Sequence, residues 1–252
     1  MKKISTLIGV FVSLYLLAAL LLFIFQRDFL YFPTGKVAHD FKVEQFSTGE
    51  VVLDVVVLNE GKPDGILYFG GNGESVAGNA PDFKEIFPQH TVYLVNYRGY
   101  GGSTGSPSEQ GIYADAQYVY DAVAGRHRQI SVIGRSLGTG VATLLAATRN
   151  IHKMALVTPY ASIEAIAKEQ YPAFPVSLLL KDKYDSASRI SGIGALTLII
   201  LAEHDAIIPA RHSSQLIKEF PPAQVSVETI QGAGHNNLSQ DGRYYLLLQQ
   251  FL

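Results

Sequence analysis

The run Ile130-Ser131-Val132-Ile133-Gly134-Arg135-Ser136-Leu137-Gly138-Thr139-Gly140-Val141-Ala142 carries the clearest chemistry in the chain. A β-branched stretch enters Gly-x-Ser-x-Gly, and a small-residue, helix-compatible stretch leaves it. Strand, sharp turn and helix in that order are what a nucleophile elbow requires. A serine at the apex of such a turn sits in a strained backbone with its hydroxyl clear of the sheet. Its neighbours two positions away must be small, because helix and strand approach closely there. Gly134 and Gly138 meet this need, since neither has a Cβ. The Leu137 N–H and the helix dipole then favour a negative charge developing beside Ser136.

A serine hydroxyl is a weak nucleophile at neutral pH. It needs a base, and the base needs an orienting acid. The chain has seven histidines. His235 follows a strand-like run through a glycine-framed loop, Gly232-Ala233-Gly234, whereas His39, His90, His127, His152, His204 and His212 have no such loop. The acid is expected just after the apolar run Leu196–Leu201, because catalytic groups collect at the carboxyl ends of parallel strands. Asp205 stands there, with Glu203 and Asp182 as competitors less well placed. The chain order Ser136, Asp205, His235 also matches the order that accompanies the elbow motif.

The loop Gly70-Gly71-Asn72-Gly73-Glu74 follows the apolar run Gly65–Phe69. It lacks the Gly-Lys-Ser/Thr of a phosphate-binding loop, and no Gly-x-Gly-x-x-Gly is completed anywhere in the chain, which argues against nucleotide binding. In acyl-transfer enzymes a loop at this place supplies a second oxyanion donor, here the Asn72 N–H, beside that of Leu137. No spacing of His, Cys, Asp and Glu matches a zinc site, so the chemistry is expected to need neither metal nor cofactor.

The elements that must hold these residues follow from periodicity. Phe41–Thr48 and Val51–Leu58 read as an antiparallel opening hairpin around Gly49. Gly65–Phe69, Thr91–Val95, the run before Gly134, Lys153–Val157, Leu196–Leu201 and Val225–Ile230 read as buried strands. Ser108–Ala124 has apolar residues at helical spacing (Ile112, Ala116, Val119, Val123), with Ser108 as N-cap. Helices are also expected after the elbow, over Pro209–Phe220 and over Asp241–Leu252. Arg98, in the glycine-rich turn after Val95, is expected to make structural hydrogen bonds beneath the elbow. Ala161–Leu180, interrupted by Pro172 and Pro175, reads either as a short cap over the site or as a helix pair covering the sheet. Strands separated by helices predict a mostly parallel sheet flanked by helices.

The 252 residues suffice for one large α/β domain. The formal net charge of −2 offers nucleic acid no electrostatic footprint, and the absence of cysteine excludes disulfides, thiolate catalysis and acylation at cysteine. From Ile4 to Phe25 every residue is uncharged and most are apolar. Such a run spans roughly 33 Å as a helix, enough for a bilayer core. It is longer than an ordinary signal-peptide core, and Ala18-Ala19 is followed by more Leu and Phe. An uncleaved signal anchor is therefore favoured over a cleaved leader. Residues 1–26 read as this anchor and 27–252 as the catalytic domain. Gln26–Pro33 reads as an aromatic-rich junction just outside the span. Lys2 and Lys3 place the N-terminus in the cytoplasm, and the domain on the periplasmic side of a bacterial inner membrane.

With these residues in place, the chain from about 26 to 252 resembles the α/β-hydrolase superfamily. It looks closest to a branch of membrane-anchored serine hydrolases that includes protein depalmitoylases. The resemblance rests on Gln26-Arg27-Asp28-Phe29-Leu30-Tyr31-Phe32-Pro33, Asn96-Tyr97-Arg98-Gly99-Tyr100-Gly101, Gly134-Arg135-Ser136-Leu137-Gly138, His204-Asp205 with Pro209, and Gly234-His235-Asn236. It implies an α/β-hydrolase fold with Ser136 as nucleophile, Asp205 as acid, His235 as base, and the Asn72 and Leu137 N–H groups as oxyanion hole. The family's oxyanion loop usually begins His-Gly-Asn, where this chain has Gly70-Gly71-Asn72. Its depalmitoylases carry a cysteine cluster where this chain has an apolar span. The expected activity is cleavage of carboxylic esters or thioesters of small or lipid-like acyl substrates. The alternatives are an amidase or peptidase on the same residues, or a non-catalytic membrane-anchored binding protein.

Overall fold

The computed structural model describes residues 2–252. The chain runs α1 (Lys2–Leu30), β1 (Lys42–Thr48), β2 (Val51–Leu58), β3 (Asp64–Phe69), α2 (Ala80–Ile86), β4 (His90–Val95), α3 (Glu109–Ala124), β5 (Gln129–Arg135), α4 (Leu137–Thr148), β6 (Lys153–Val157), α5 (Ile163–Gln170), α6 (Val176–Leu179), β7 (Leu196–Ala202), α7 (Ala210–Ile217), β8 (Val225–Ile230) and α8 (Gly242–Phe251). The eight strands form one sheet in the order β1-β2-β4-β3-β5-β6-β7-β8. β1 pairs antiparallel with β2, and β2 with β4. Every later pairing is parallel.

The inner strands are largely apolar because both faces are covered, whereas the edge strands β1 and β8 are partly polar and exposed. Side chains alternate between faces along a strand. Val55, Val57, Leu67 and Phe69 therefore enter one core with Ile112, Val119, Val141 and Leu145 from α3 and α4. Val56, Leu58, Ile66 and Tyr68 enter the other, with Phe83 from α2 and Tyr244 and Leu248 from α8. The Ser108 side chain accepts from the Gly111 N–H at the start of α3, as its N-cap. α7 stops at Ile217, short of the predicted Phe220. Pro221 follows Phe220, and the residue before a proline is biased away from the helical region.

The N-terminal helix departs further from expectation. α1 does not end at the apolar run but continues through Gln26 and Arg27 to Leu30, so the expected junction is largely helical. Its polar residues find protein partners there. The Gln26 amide donates to the Leu179 carbonyl at 3.0 Å, and the Arg27 guanidinium meets buried Asp182 at 2.8 Å. α1 is long and apolar enough to cross a membrane, its apolar stretch reaching a mean hydropathy of 2.8. Ala161–Leu180 holds α5 and α6, separated at Tyr171–Pro175 where two prolines interrupt helical bonding.

Arg98 makes structural hydrogen bonds, and its partner is Asp115. It forks onto Asp115 of α3 with bonds of 2.7 and 2.6 Å, its guanidinium packed over Gly111. Asp115 is 4% exposed at its side chain and Arg98 19%. The two partners are thus unequal: stripped of Arg98, the carboxylate stays buried, whereas a lone Arg98 reaches water. Arg98→Ala is expected to cost about 3 kcal/mol of unfolding free energy and Asp115→Ala clearly less, read from urea midpoints of the full chain in detergent. Equal losses would contradict this account.

Candidate active site

β5 and α4 meet at Ser136, whose backbone has φ +49° and ψ −115°. Non-glycine residues rarely adopt this region, and it persists only where the surroundings impose it. Here the surroundings are backbone. A Cβ on Gly138 would stand 2.0 Å from the Phe69 carbonyl oxygen, and one on Gly134 would stand 2.4 Å from the Gly138 carbonyl oxygen. α4 therefore lies directly against β3 and β5. The Ser136 N–H donates to the Val157 carbonyl at 2.8 Å, which holds the turn onto β6.

The structure brings three of the predicted residues together. His235 Nε2 is 2.9 Å from Ser136 Oγ, and His235 Nδ1 is 2.8 Å from Asp205 Oδ2. A carboxylate only accepts, so Nδ1 carries the proton and Nε2 is left to accept from the serine hydroxyl. The side chains of His235 and Asp205 are 9% and 6% exposed. The other Asp205 oxygen accepts from the Ile207 and Ile208 N–H groups at 2.9 and 2.7 Å, which fixes the carboxylate from behind. The competing acids point elsewhere: Glu203 accepts from the Gly232 N–H at 2.7 Å, and Asp182 is held by Arg27.

Leu137 is the first residue of α4, where backbone N–H groups have no partner within the helix. The Asn72 N–H has no acceptor among the described residues. Both residues border the space in front of Ser136. The Asn72 side chain does separate work. Its amide nitrogen donates to the Leu30 carbonyl at 2.5 Å, and its oxygen accepts from the Phe32 N–H and the Tyr100 hydroxyl, each at 2.9 Å. The loop is thereby tied to the end of α1.

Two cavities meet at Ser136. One, of about 290 Å³, is walled by Leu22, Phe29, Ile163, Ile166, Phe174 and Leu179, among others. α5 and α6 close it from above, so Ala161–Leu180 serves as a cap. The other, of about 350 Å³, is bordered by the polar and charged side chains of Glu74, Arg135, His235 and Asn236 as well as by Phe32 and Ile207. Ser136, Asn72, Phe32 and Ile207 border both.

A family model for the alpha/beta hydrolase fold matches residues 54–188, just over half of the chain. The chain belongs to the α/β-hydrolase family. An uncharacterized protein of Mycobacterium tuberculosis (strain H37Rv) is 34% identical over 249 residues, covering 90% of this chain and 87% of that protein. Alpha/beta hydrolase domain-containing protein 17B of Xenopus laevis is 30% identical over 167 residues, 64% of this chain and 56% of its own. Among solved structures, an esterase of Pyrococcus furiosus aligns with a TM-score of 0.68 at 15% identity, over 88% of this chain and 96% of its own, a likeness of fold. The family resemblance read from the motifs is the relationship these matches show.

Two features of this α/β-hydrolase escaped the sequence. Glu74 anchors the glycine loop: it accepts from the Gly71 N–H at 2.8 Å, the Tyr68 hydroxyl at 2.5 Å and the Asn79 amide at 2.6 Å. Arg135, the variable residue before the serine, lies 3.4 Å from Glu74 and donates to the His235 carbonyl at 3.2 Å. It therefore links the loop bearing Asn72 to the loop bearing His235. Burial first, and then the charge of Glu74, push the Tyr68 phenol well above its ordinary value, as they do for Tyr97. Both stay neutral donors, Tyr97 to the Gly70 carbonyl at 2.7 Å. A carboxylate two residues past Asn72 was the one available sign of this network.

The tightest point of the site yields a stability test. Gly138→Ala has to displace the Phe69 carbonyl, at the upper end of the 1–3 kcal/mol typical of overpacking, about 3 kcal/mol or more. Gly78→Ala, where a Cβ meets nothing within 4 Å, serves as the control. Thermal unfolding midpoints of the two variants should differ by several degrees, and coincident midpoints would contradict the packing described.

Proposed function

We propose that the protein is a membrane-anchored serine hydrolase that cleaves carboxylic esters or thioesters through an acyl-enzyme on Ser136, His235 and Asp205. The observation that carries the reading is the hydrogen-bonded row from Asp205 through His235 to Ser136, with the serine on the strained turn. In this scheme His235 Nε2 takes the hydroxyl proton as Ser136 Oγ attacks the acyl carbonyl. The imidazolium that forms faces the Asp205 carboxylate. The carbonyl oxygen becomes an oxyanion between the Asn72 and Leu137 N–H groups, which need no rearrangement to receive it. His235 then protonates the leaving group, and the acyl-enzyme forms. Water attacks the acyl-enzyme with His235 again as base, releasing the acid and restoring Ser136.

The two cavities suit the two halves of such a substrate. The cavity walled by α1 and the cap takes the acyl part, and the one bordered by Glu74, Arg135 and His235 takes the leaving group and admits water. Residues 1–26 serve as a single-pass signal anchor and 27–252 as the catalytic domain, in a reading supported by the length and hydropathy of α1. Lys2 and Lys3 keep the N-terminus cytoplasmic, which puts the domain on the periplasmic side of a bacterial inner membrane.

The full chain in detergent should be labelled by a fluorophosphonate probe and should hydrolyse p-nitrophenyl butyrate. Ser136→Ala should abolish the label and lower turnover by at least ~10⁴-fold. Asp205→Asn should leave the serine in place yet slow turnover by ~10²–10⁴-fold, because an amide no longer selects the Nδ1–H tautomer. Full activity in Ser136→Ala would overturn the assignment.

A further inference from the structure

One wall of the apolar cavity is α1 itself. Leu30 stands at its Ser136 end, bonded to Asn72, and Leu22 lines it farther up the helix. The step from Leu22 to Leu30 is roughly 12 Å along the axis. The cavity therefore runs from the serine back along α1, toward the apolar body of the helix. Ala18, Ala19, Leu22, Phe23, Gln26 and Leu30 are partly covered while the rest of residues 3–30 are exposed, a stripe at helical spacing that marks the covered face.

The cap follows the same track. The Lys181 ammonium lies 4.2 Å from the Phe23 ring centroid. Farther up, the Tyr15 ring stacks on Phe174 at 5.3 Å, and its hydroxyl donates to the Ala173 carbonyl at 2.9 Å. A bilayer core of about 30 Å takes roughly 20 residues of helix. Counted from Lys3, that ends near Phe23, the level at which Lys181 places its charge. Tyr15 lies a further ~12 Å inside that level. With α1 spanning a bilayer, the turn Tyr171-Pro172-Ala173-Phe174-Pro175 is below the hydrocarbon boundary.

The chemistry of the turn fits that depth. It carries no charge, and two of its residues have no N–H to satisfy. The Phe174 N–H donates to the Tyr171 carbonyl at 3.1 Å, and the Ala173 carbonyl is taken by Tyr15. A carbonyl facing water needs no such partner, whereas one facing lipid does. Leu178, 82% exposed, continues the apolar surface beside the turn. The charges of the cap are paired within the protein, Glu164 with Lys168 and Lys183, and Glu169 with Arg211.

We propose that the cap tip is immersed in the leaflet beside α1 and that the cavity opens sideways into the bilayer. The acyl chain of a membrane-resident ester or thioester enters along α1 and reaches Ser136 without crossing water. With C–C bonds of about 1.5 Å in a zigzag, the Leu22–Leu30 wall matches roughly ten carbons, and the rest of a longer chain stays in the leaflet. This deepens the serine hydrolase reading and rests on it for the identity of Ser136, and on α1 as a span.

The chain has no tryptophan, so Phe174→Trp reports from the cap tip without background. In phosphatidylcholine vesicles, lipids brominated on the acyl chain should quench this residue at least threefold more than Tyr118→Trp, placed on the exposed side of α3. Equal quenching would overturn the immersion of the cap. In the same vesicles wild-type kcat/KM should favour p-nitrophenyl palmitate over the butyrate at least tenfold, and Leu22→Trp should lower that ratio at least tenfold. A Ser136-dependent enzyme whose ratio Leu22→Trp leaves unchanged would refute the entry route and spare the hydrolase reading. A chain that is neither labelled nor active on either ester refutes the hydrolase reading, while the quenching, which needs no turnover, still decides the depth of the cap.

Discussion

The contact on which the structure turns is the close approach of α4 to the sheet. A single methyl group at Gly138 would overlap the Phe69 carbonyl, so the helix can lie there only if that position is bare. The left-handed backbone of Ser136 follows, because a chain leaving β5 and starting α4 at that distance must reverse within one residue. From this come the height of the hydroxyl and the place of Leu137 as the first residue of α4 beside it. The parallel sheet brings the ends of β7 and β8 to the same edge, and with them Asp205 and His235. Strain at one residue is thus sustained by contacts to three strands, β3, β5 and β6.

Around this point the loops are held by polar groups rather than by regular structure. Gly70–Glu74 is fixed on three sides: Tyr97 holds the Gly70 carbonyl, Glu74 holds the Gly71 N–H, and the Asn72 side chain holds the end of α1. Arg135 then joins this loop to His235. Each bond is ordinary in strength, but buried networks of this kind specify one arrangement because the alternatives leave polar groups unpaired. Among the described residues the backbone N–H of Asn72 has no acceptor.

Much of this was legible from sequence, and the reason is locality. Gly134-Arg135-Ser136-Leu137-Gly138 contains within five residues the smallness and order that the turn demands. Strands buried on both faces announce themselves as continuous apolar runs, and Ser108 caps α3 from an adjacent position. What stayed hidden depends on residues distant in the chain. Arg98 could be read as structural, but nothing local pointed to Asp115 of α3. Asn72 was legible through its place after a strand, whereas its side-chain bonds to Leu30 and Phe32 span some forty positions. The extension of α1 to Leu30 was obscured for the same reason. Gln26 and Arg27 read as the polar end of an apolar run until Leu179 and Asp182 are seen to receive them.

The junction at the end of α1 has a practical consequence. A protein of this kind invites the removal of its greasy leader to obtain a soluble fragment. A chain begun at residue 27 would forfeit Leu22 and Gln26, leaving a breach in the wall of the pocket and stripping the Leu179 carbonyl of its partner. Leu30 and Phe32, which brace Asn72, would remain as a frayed tail with no helix before them. The last turns of α1 are thus part of the pocket's masonry.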